Sequence, residues 1–133
     1  MKVTVLDASS LLALFFDERG AATMEHLFQV AAEGDLPIFI SAVNWAEVLY
    51  KMEQKRGKVG LETARQFGRT TPLEIVPVDC ELAETTALLK NAHKLGLADA
   101  FAAALAKIKK AELITSDQEF RALAKEIKVV ILK

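Results

Sequence analysis

Val3-Thr-Val-Leu-Asp-Ala-Ser-Ser10 opens the chain with a short apolar, β-branched run that stops on an acid. A run of this kind reads as a buried strand, with Asp7 delivered at its carboxyl end. Outward from it, helical stretches are expected over residues 9–16 and 21–33, the second closed by Gly34. Residues 37–40 form a second apolar run, after which Ser41 can cap a long helix through Arg56, with Gly57 just past its end. Residues 59–69 read as a more polar helix. A third strand is expected over 73–78, flanked by Pro72 and Pro77. Asp79 then caps a helix to residue 95, stopped by Gly96, and a further helix covers 97–110. A fourth strand spans 112–115. Ser116, with Glu119 three residues on, reads as a capping box for a helix through 125, before a last strand at 128–132. Strands alternate with helices, and most strands are solid apolar runs. The expected fold class is therefore α/β, a three-layer α/β/α arrangement with a five-stranded parallel sheet.

The length of 133 residues fits one domain, taken as residues 1–133. Apolar residues make up 52% and charged residues 26%, which supplies a large core and excludes a disordered chain. The formal net charge of -1 gives no global pull on nucleic acid, so any such contact must come from a local basic patch. A single cysteine, Cys80, excludes an intrachain disulfide and a thiolate metal cage, and is expected to be a small buried residue. A reducing, cytoplasmic setting and no membrane span are expected.

Four acids stand where a bland reading strains. Ligands of open parallel sheets bind beyond the carboxyl ends of the strands. Asp7 follows the first strand and Asp117 the fourth, although each could simply cap or charge a helix start. Asp99 is the lone charge in Leu95-Gly-Leu-Ala-Asp-Ala-Phe-Ala-Ala-Ala-Leu-Ala106, sharing a helix face with Ala102, Ala103 and Ala106, while Phe101, Leu105 and Ile108 make the bulky stripe. A carboxylate there calls for a partner, a proton, a metal or a helix-start role. Glu47 lies within Val43-Asn-Trp-Ala-Glu-Val-Leu-Tyr50, where its plainer role is pairing with Lys51 one turn on. Two carboxylates about 4 Å apart repel by roughly 4 kcal/mol at an effective dielectric near 20, so convergence of all four would demand cations. Hard Mg²⁺ or Mn²⁺ suits such an oxygen-only set and can generate a hydroxide nucleophile beside a phosphodiester.

The blocks Val3–Ser10, Ser41-Ala-Val-Asn-Trp-Ala-Glu47, Leu97-Ala-Asp-Ala-Phe-Ala-Ala-Ala104 and Leu113-Ile-Thr-Ser-Asp-Gln-Glu-Phe120 resemble, in order, the four motif blocks of PIN domains. The compact length resembles the VapC-type toxins of toxin–antitoxin pairs. The resemblance implies strand order 3-2-1-4-5 and an acidic site of Asp7, Glu47, Asp99 and Asp117 with Ser9 and Thr115 in support. It also implies a Mg²⁺- or Mn²⁺-dependent endoribonuclease, a homodimer and a small antitoxin protein that blocks the site.

Lys51, Lys55, Arg56 and Lys58, followed by Arg65 and Arg69, form the best candidate RNA-contacting patch, against an ordinary solvated helix face. Lys107, Lys109 and Lys110 read as charges favouring a helix C-terminus. Trp45 and Tyr50 could stack on bases, but packing explains them better. His26 and His93 lack ligand spacing. Two other functions fit less well. One is a catalytically silent PIN scaffold that only binds a partner. The other is a phosphoacceptor domain using Asp79, which lacks the acid pair expected after the first strand.

Overall fold

Five parallel strands form one sheet in the order β3-β2-β1-β4-β5 in the computed structural model, which describes residues 2–133. The strands are β1 (Thr4–Leu6), β2 (Ile38–Ser41), β3 (Leu73–Val76), β4 (Glu112–Thr115) and β5 (Lys128–Ile131). Helices α1 (Ala8–Phe15), α2 (Ala21–Gly34), α3 (Ala42–Thr70), α4 (Cys80–His93) and α5 (Leu97–Lys109) connect them, with a 3₁₀ turn at Gln118–Leu123. The expected α/β class, all-parallel pairing and strand order are all present.

Side-chain alternation within the buried strands divides two cores. Val5 and Leu113 point to one side of the sheet, where they meet the alanines of α5, Leu82 and Leu89 of α4, and Phe120. Leu6 and Ile114 point to the other, against Leu11 of α1, Met24 of α2 and Met52 of α3. Both faces are covered, which explains why the central strands β1 and β2 are buried along their whole length, while charged Glu74, Glu112 and Lys128 fall on the outer strands β3 and β5 or at the start of β4. Helix α5 packs against β1, β2 and β4, and its buried alanines at 100, 102, 103, 104 and 106 let its backbone approach the sheet closely. Phe101 and Ile108 are only half-buried at its flank.

Gly57 breaks α3 where the sequence places the end of a helix. Its φ of 66° and ψ of -156° lie outside any helical region and divide α3 into two arms. Other ends differ from expectation. Helices α2 and α4 run to Gly34 and His93, and the left-handed turns fall on Asp35 (φ 52°) and Lys94 (φ 56°), whose N–H groups return to carbonyls of the last turn. Gly96 therefore starts α5 and does not stop α4. After β4, the N-cap is Asp117 and not Ser116, and a short 3₁₀ turn replaces the expected helix through 125. Asp117 wins because its carboxylate accepts the Glu119 N–H at 2.9 Å. Cys80 is exposed rather than buried, because it sits at the solvent-facing start of α4.

Candidate metal centre

The chain builds outward from β1 to β2 and β3, then returns to lay β4 on the other side of β1. This reversal falls between β1 and β4, and the carboxyl ends of strands at such a point are where parallel sheets bind ligands. Leu6 is in register with Ile114, so Asp7 and Thr115 leave the sheet side by side.

Asp7 is 3% exposed and fully engaged. As N-cap of α1 it accepts the Ser10 N–H at 3.0 Å. The Ser9 hydroxyl lies 2.9 Å from both of its oxygens, and the Thr115 hydroxyl donates to Oδ2 at 2.5 Å. Each hydroxyl accepts in turn from the loop after β4. The Ser116 N–H donates to Ser9 Oγ and the Asp117 N–H to Thr115 Oγ1, both at 3.0 Å. Two hydroxyl relays thus clamp the Asp117 loop to Asp7. Burial pushes the Asp7 carboxyl above its ordinary range, and the hydrogen bonds from Thr115, Ser10 and Ser9 pull it back in part.

Asp99 stands in the first turn of α5 and is half-buried. Burial first, then the charges of Asp117, Asp7, Glu47 and Glu119, push its carboxyl up to about 6. All four acids singled out in the sequence therefore share one field, supplied by β1, α3, α5 and the loop after β4. Carboxylate oxygens of Asp99, Asp117 and Glu119 lie within 4.8 Å of one another. Glu47 is bound to Lys51, with Nζ–Oε2 at 2.9 Å. The close oxygen set is thus Asp99, Asp117 and Glu119, while Asp7 is held by hydroxyls and Glu47 by Lys51.

The donor set fits a hard divalent cation. Every ligand atom in the cluster is a carboxylate oxygen, and among the described residues neither His nor Cys joins it. Asp99, Asp117 and Glu119 would hold the ion, which would supply Lewis acidity and an activated water; Asp7 and Glu47, expected as further ligands, are engaged instead by hydroxyl and amide donors and by Lys51.

Residues 4–126 match the profile of the PIN domain family. The chain belongs to the PIN domain family. This PIN domain is similar to a toxin–antitoxin complex chain from Klebsiella pneumoniae, at 26% identity and a TM-score of 0.71, covering 96% of this chain and 95% of that one. A VapBC2 chain from Rickettsia felis, crystallised on a fragment of promoter DNA, has 17% identity and a TM-score of 0.80, covering 98% and 99%. VapC20 of Mycobacterium tuberculosis, a toxin that cleaves the sarcin–ricin loop, has 19% identity and a TM-score of 0.68, covering 95% and 98%. Curated protein sequences gave no significant match.

The cations of the expected RNA-contacting patch follow α3 away from the acids. Lys51 is tied to Glu47, while Lys55 Nζ and the Arg56 guanidinium lie over the Phe16 ring at 4.6 and 5.1 Å. Lys58 is exposed, and Arg65 and Arg69 pair with Glu62. Trp45 is half-buried against the core of α1–α3 and the backbone at Gly68, whereas Tyr50 is exposed. Lys110 ends α5, Lys107 pairs with Glu126 and Lys109 lies over Phe39, so these lysines serve the helix end and its surroundings. His93 pairs with Glu126. Asp79 caps α4, accepting the Leu82 N–H at 2.9 Å.

Two residues near the site carry more than the sequence reading gave them. The sequence pattern places Glu119 in a capping box, whereas a tight 3₁₀ turn brings position 119 back beside 117. Asn44 carries no sequence signal beyond being a polar residue one turn before Glu47.

Proposed function

We propose that this chain is a Mg²⁺- or Mn²⁺-dependent endoribonuclease that hydrolyses RNA phosphodiester bonds as the toxin of a toxin–antitoxin pair. The observation that carries the reading is the acidic cluster, in which carboxylate oxygens of Asp99, Asp117 and Glu119 lie within 4.8 Å of one another. Such a cluster is costly without a cation and well suited to neutralising a phosphodiester in its transition state. Ser9 and Thr115 act through Asp7, fixing its orientation with the relays described above. Lys51 is the cation best placed for an incoming phosphate, because it already lies beside Glu47. Lys55, Arg56 and Lys58 extend that contact along α3. The similarity to chains found in toxin–antitoxin complexes supports an antitoxin protein as partner; a homodimeric state and a cytoplasmic setting belong to the same proposal. Among the described residues no helix is long and apolar enough to cross a membrane.

Purified protein with Mn²⁺ should cleave a structured RNA, and EDTA or Asp7→Asn should abolish the cleavage. Cleavage that survives both would remove the metal mechanism. Absence of Mn²⁺ binding by calorimetry at millimolar concentrations would instead leave a silent scaffold that binds a partner.

A further inference from the structure

Asn44 is 1% exposed, and each of its polar groups is engaged. The Ser41 hydroxyl donates to its Oδ1 at 2.6 Å, and its backbone N–H returns to Ser41 Oγ at 3.0 Å. Its Nδ2 crosses to another element and donates to the carbonyl of Ala98 at 3.0 Å. Ala98 is the residue before Asp99, and Asn44 lies three residues before Glu47 on α3. One buried amide therefore ties the start of the Glu47 helix to the first turn of the Asp99 helix.

Asp99 follows Ala98 directly, so the amide acts on the segment that sets where the Asp99 carboxylate stands. Ser41 anchors the amide from the end of β2, so the latch is referenced to the sheet itself.

We infer that Asn44 is a positioning residue that holds the Glu47 and Asp99 helices at the spacing the acidic cluster needs. The inference rests on the metal-centre reading but has a readout of its own. In Asn44→Ala, the metal-free protein should show backbone amides 100–102 exchanging about tenfold faster, the size expected for one lost buried hydrogen bond. Amides of α2 and β1 should be unchanged. Mn²⁺ affinity by calorimetry should fall about tenfold or more, as for other residues that orient metal ligands. Met24→Ala, a core truncation in α2, serves as a control that loses stability without loosening α5.

Exchange and affinity that match the Met24→Ala control would overturn the inference, as would faster exchange with unchanged affinity. If wild-type protein binds no Mn²⁺, the metal-centre reading fails by itself. The exchange arm then decides alone: selective loosening of residues 100–102 upholds the latch, and uniform exchange rejects it. Should Asn44→Ala not fold, Asn44→Ser is used instead, since its shorter side chain cannot span to Ala98 and carries the same expectations.

Discussion

Asp7 accepts from Ser9, Ser10 and Thr115 in a pocket that water scarcely reaches, so each donor offsets part of the cost of burying a charge. Thr115 serves twice, donating to Asp7 and accepting from Asp117. Thr115→Val keeps the shape and removes both bonds, leaving a buried carboxylate short of one donor. Urea denaturation should show a loss of about 1–3 kcal/mol. Ser9→Ala should cost less, because Ser9 is only half-buried and water can replace its hydroxyl. Equal losses would mean that the two relays are not ranked by burial. At this scale the sequence was most readable where an acid stood against an apolar background, as with Asp7 and Asp99. Glu119 was hidden because its neighbourhood depends on a 3₁₀ turn, whose two-residue return the pattern Ser-Asp-Gln-Glu does not distinguish from a helix start. Cys80 was misplaced for a related reason: burial of a helix's first residue depends on which way the preceding loop turns.

Helix α3 carries Glu47 on one arm and bends before the other. Gly57 permits the bend, since its φ and ψ fall in a region essentially reserved for glycine, and no atom lies within 4 Å of where a Cβ would stand. Gly60 serves differently, for a Cβ there would lie 2.5 Å from the Met52 carbonyl oxygen. Gly57→Ala should therefore cost about 1–3 kcal/mol through backbone strain alone. Gly60→Ala should cost at least as much, because the backbone of the first arm must shift to admit it. Both variants should retain Mn²⁺ binding, since Glu47 lies on the arm fixed by Ser41 and Asn44. Thermal melts with and without Mn²⁺ check both statements, and a Gly57→Ala protein as stable as wild type would mean that the bend is not imposed by this residue. The break at Gly57 was readable because glycine was flanked by two periodic stretches. The ends of α2 and α4 were not, because Asp35 and Lys94 adopt left-handed turns that glycine usually supplies, and the nearby Gly34 and Gly96 drew the boundary instead.

Strand order governs the whole molecule's chemistry, since placing β4 beside β1 gathers acids from four distant segments. Alternation of strands with helices made the parallel sheet readable from the pattern alone. The order itself came from the motif resemblance, because apolar strands of similar composition do not encode their neighbours. The consequence is a fold that works against itself when no cation is bound. Asp99 has a carboxyl near 6 in the folded chain against an ordinary 3.8, so between those values the folded state holds more proton than the unfolded chain. Stability from this group is thus highest below about pH 4 and falls as pH rises through 6. Burial of Asp7 acts in the same direction. Glu126, lowered by Lys107 and His93, opposes it weakly because it is solvent-exposed. Metal-free wild type should lose about 2–6 °C more in melting midpoint between pH 5 and 7.5 than Asp99→Asn does. Adding Mn²⁺ at pH 7.5 should recover that loss in wild type, because a bound cation stabilises only the folded form, and should recover little in Asp99→Asn. Calorimetric melts at the two pH values, each with EDTA and with Mn²⁺, measure both differences. Parallel pH profiles for the two proteins would mean that the acids lie too far apart, or too well hydrated, to need a cation.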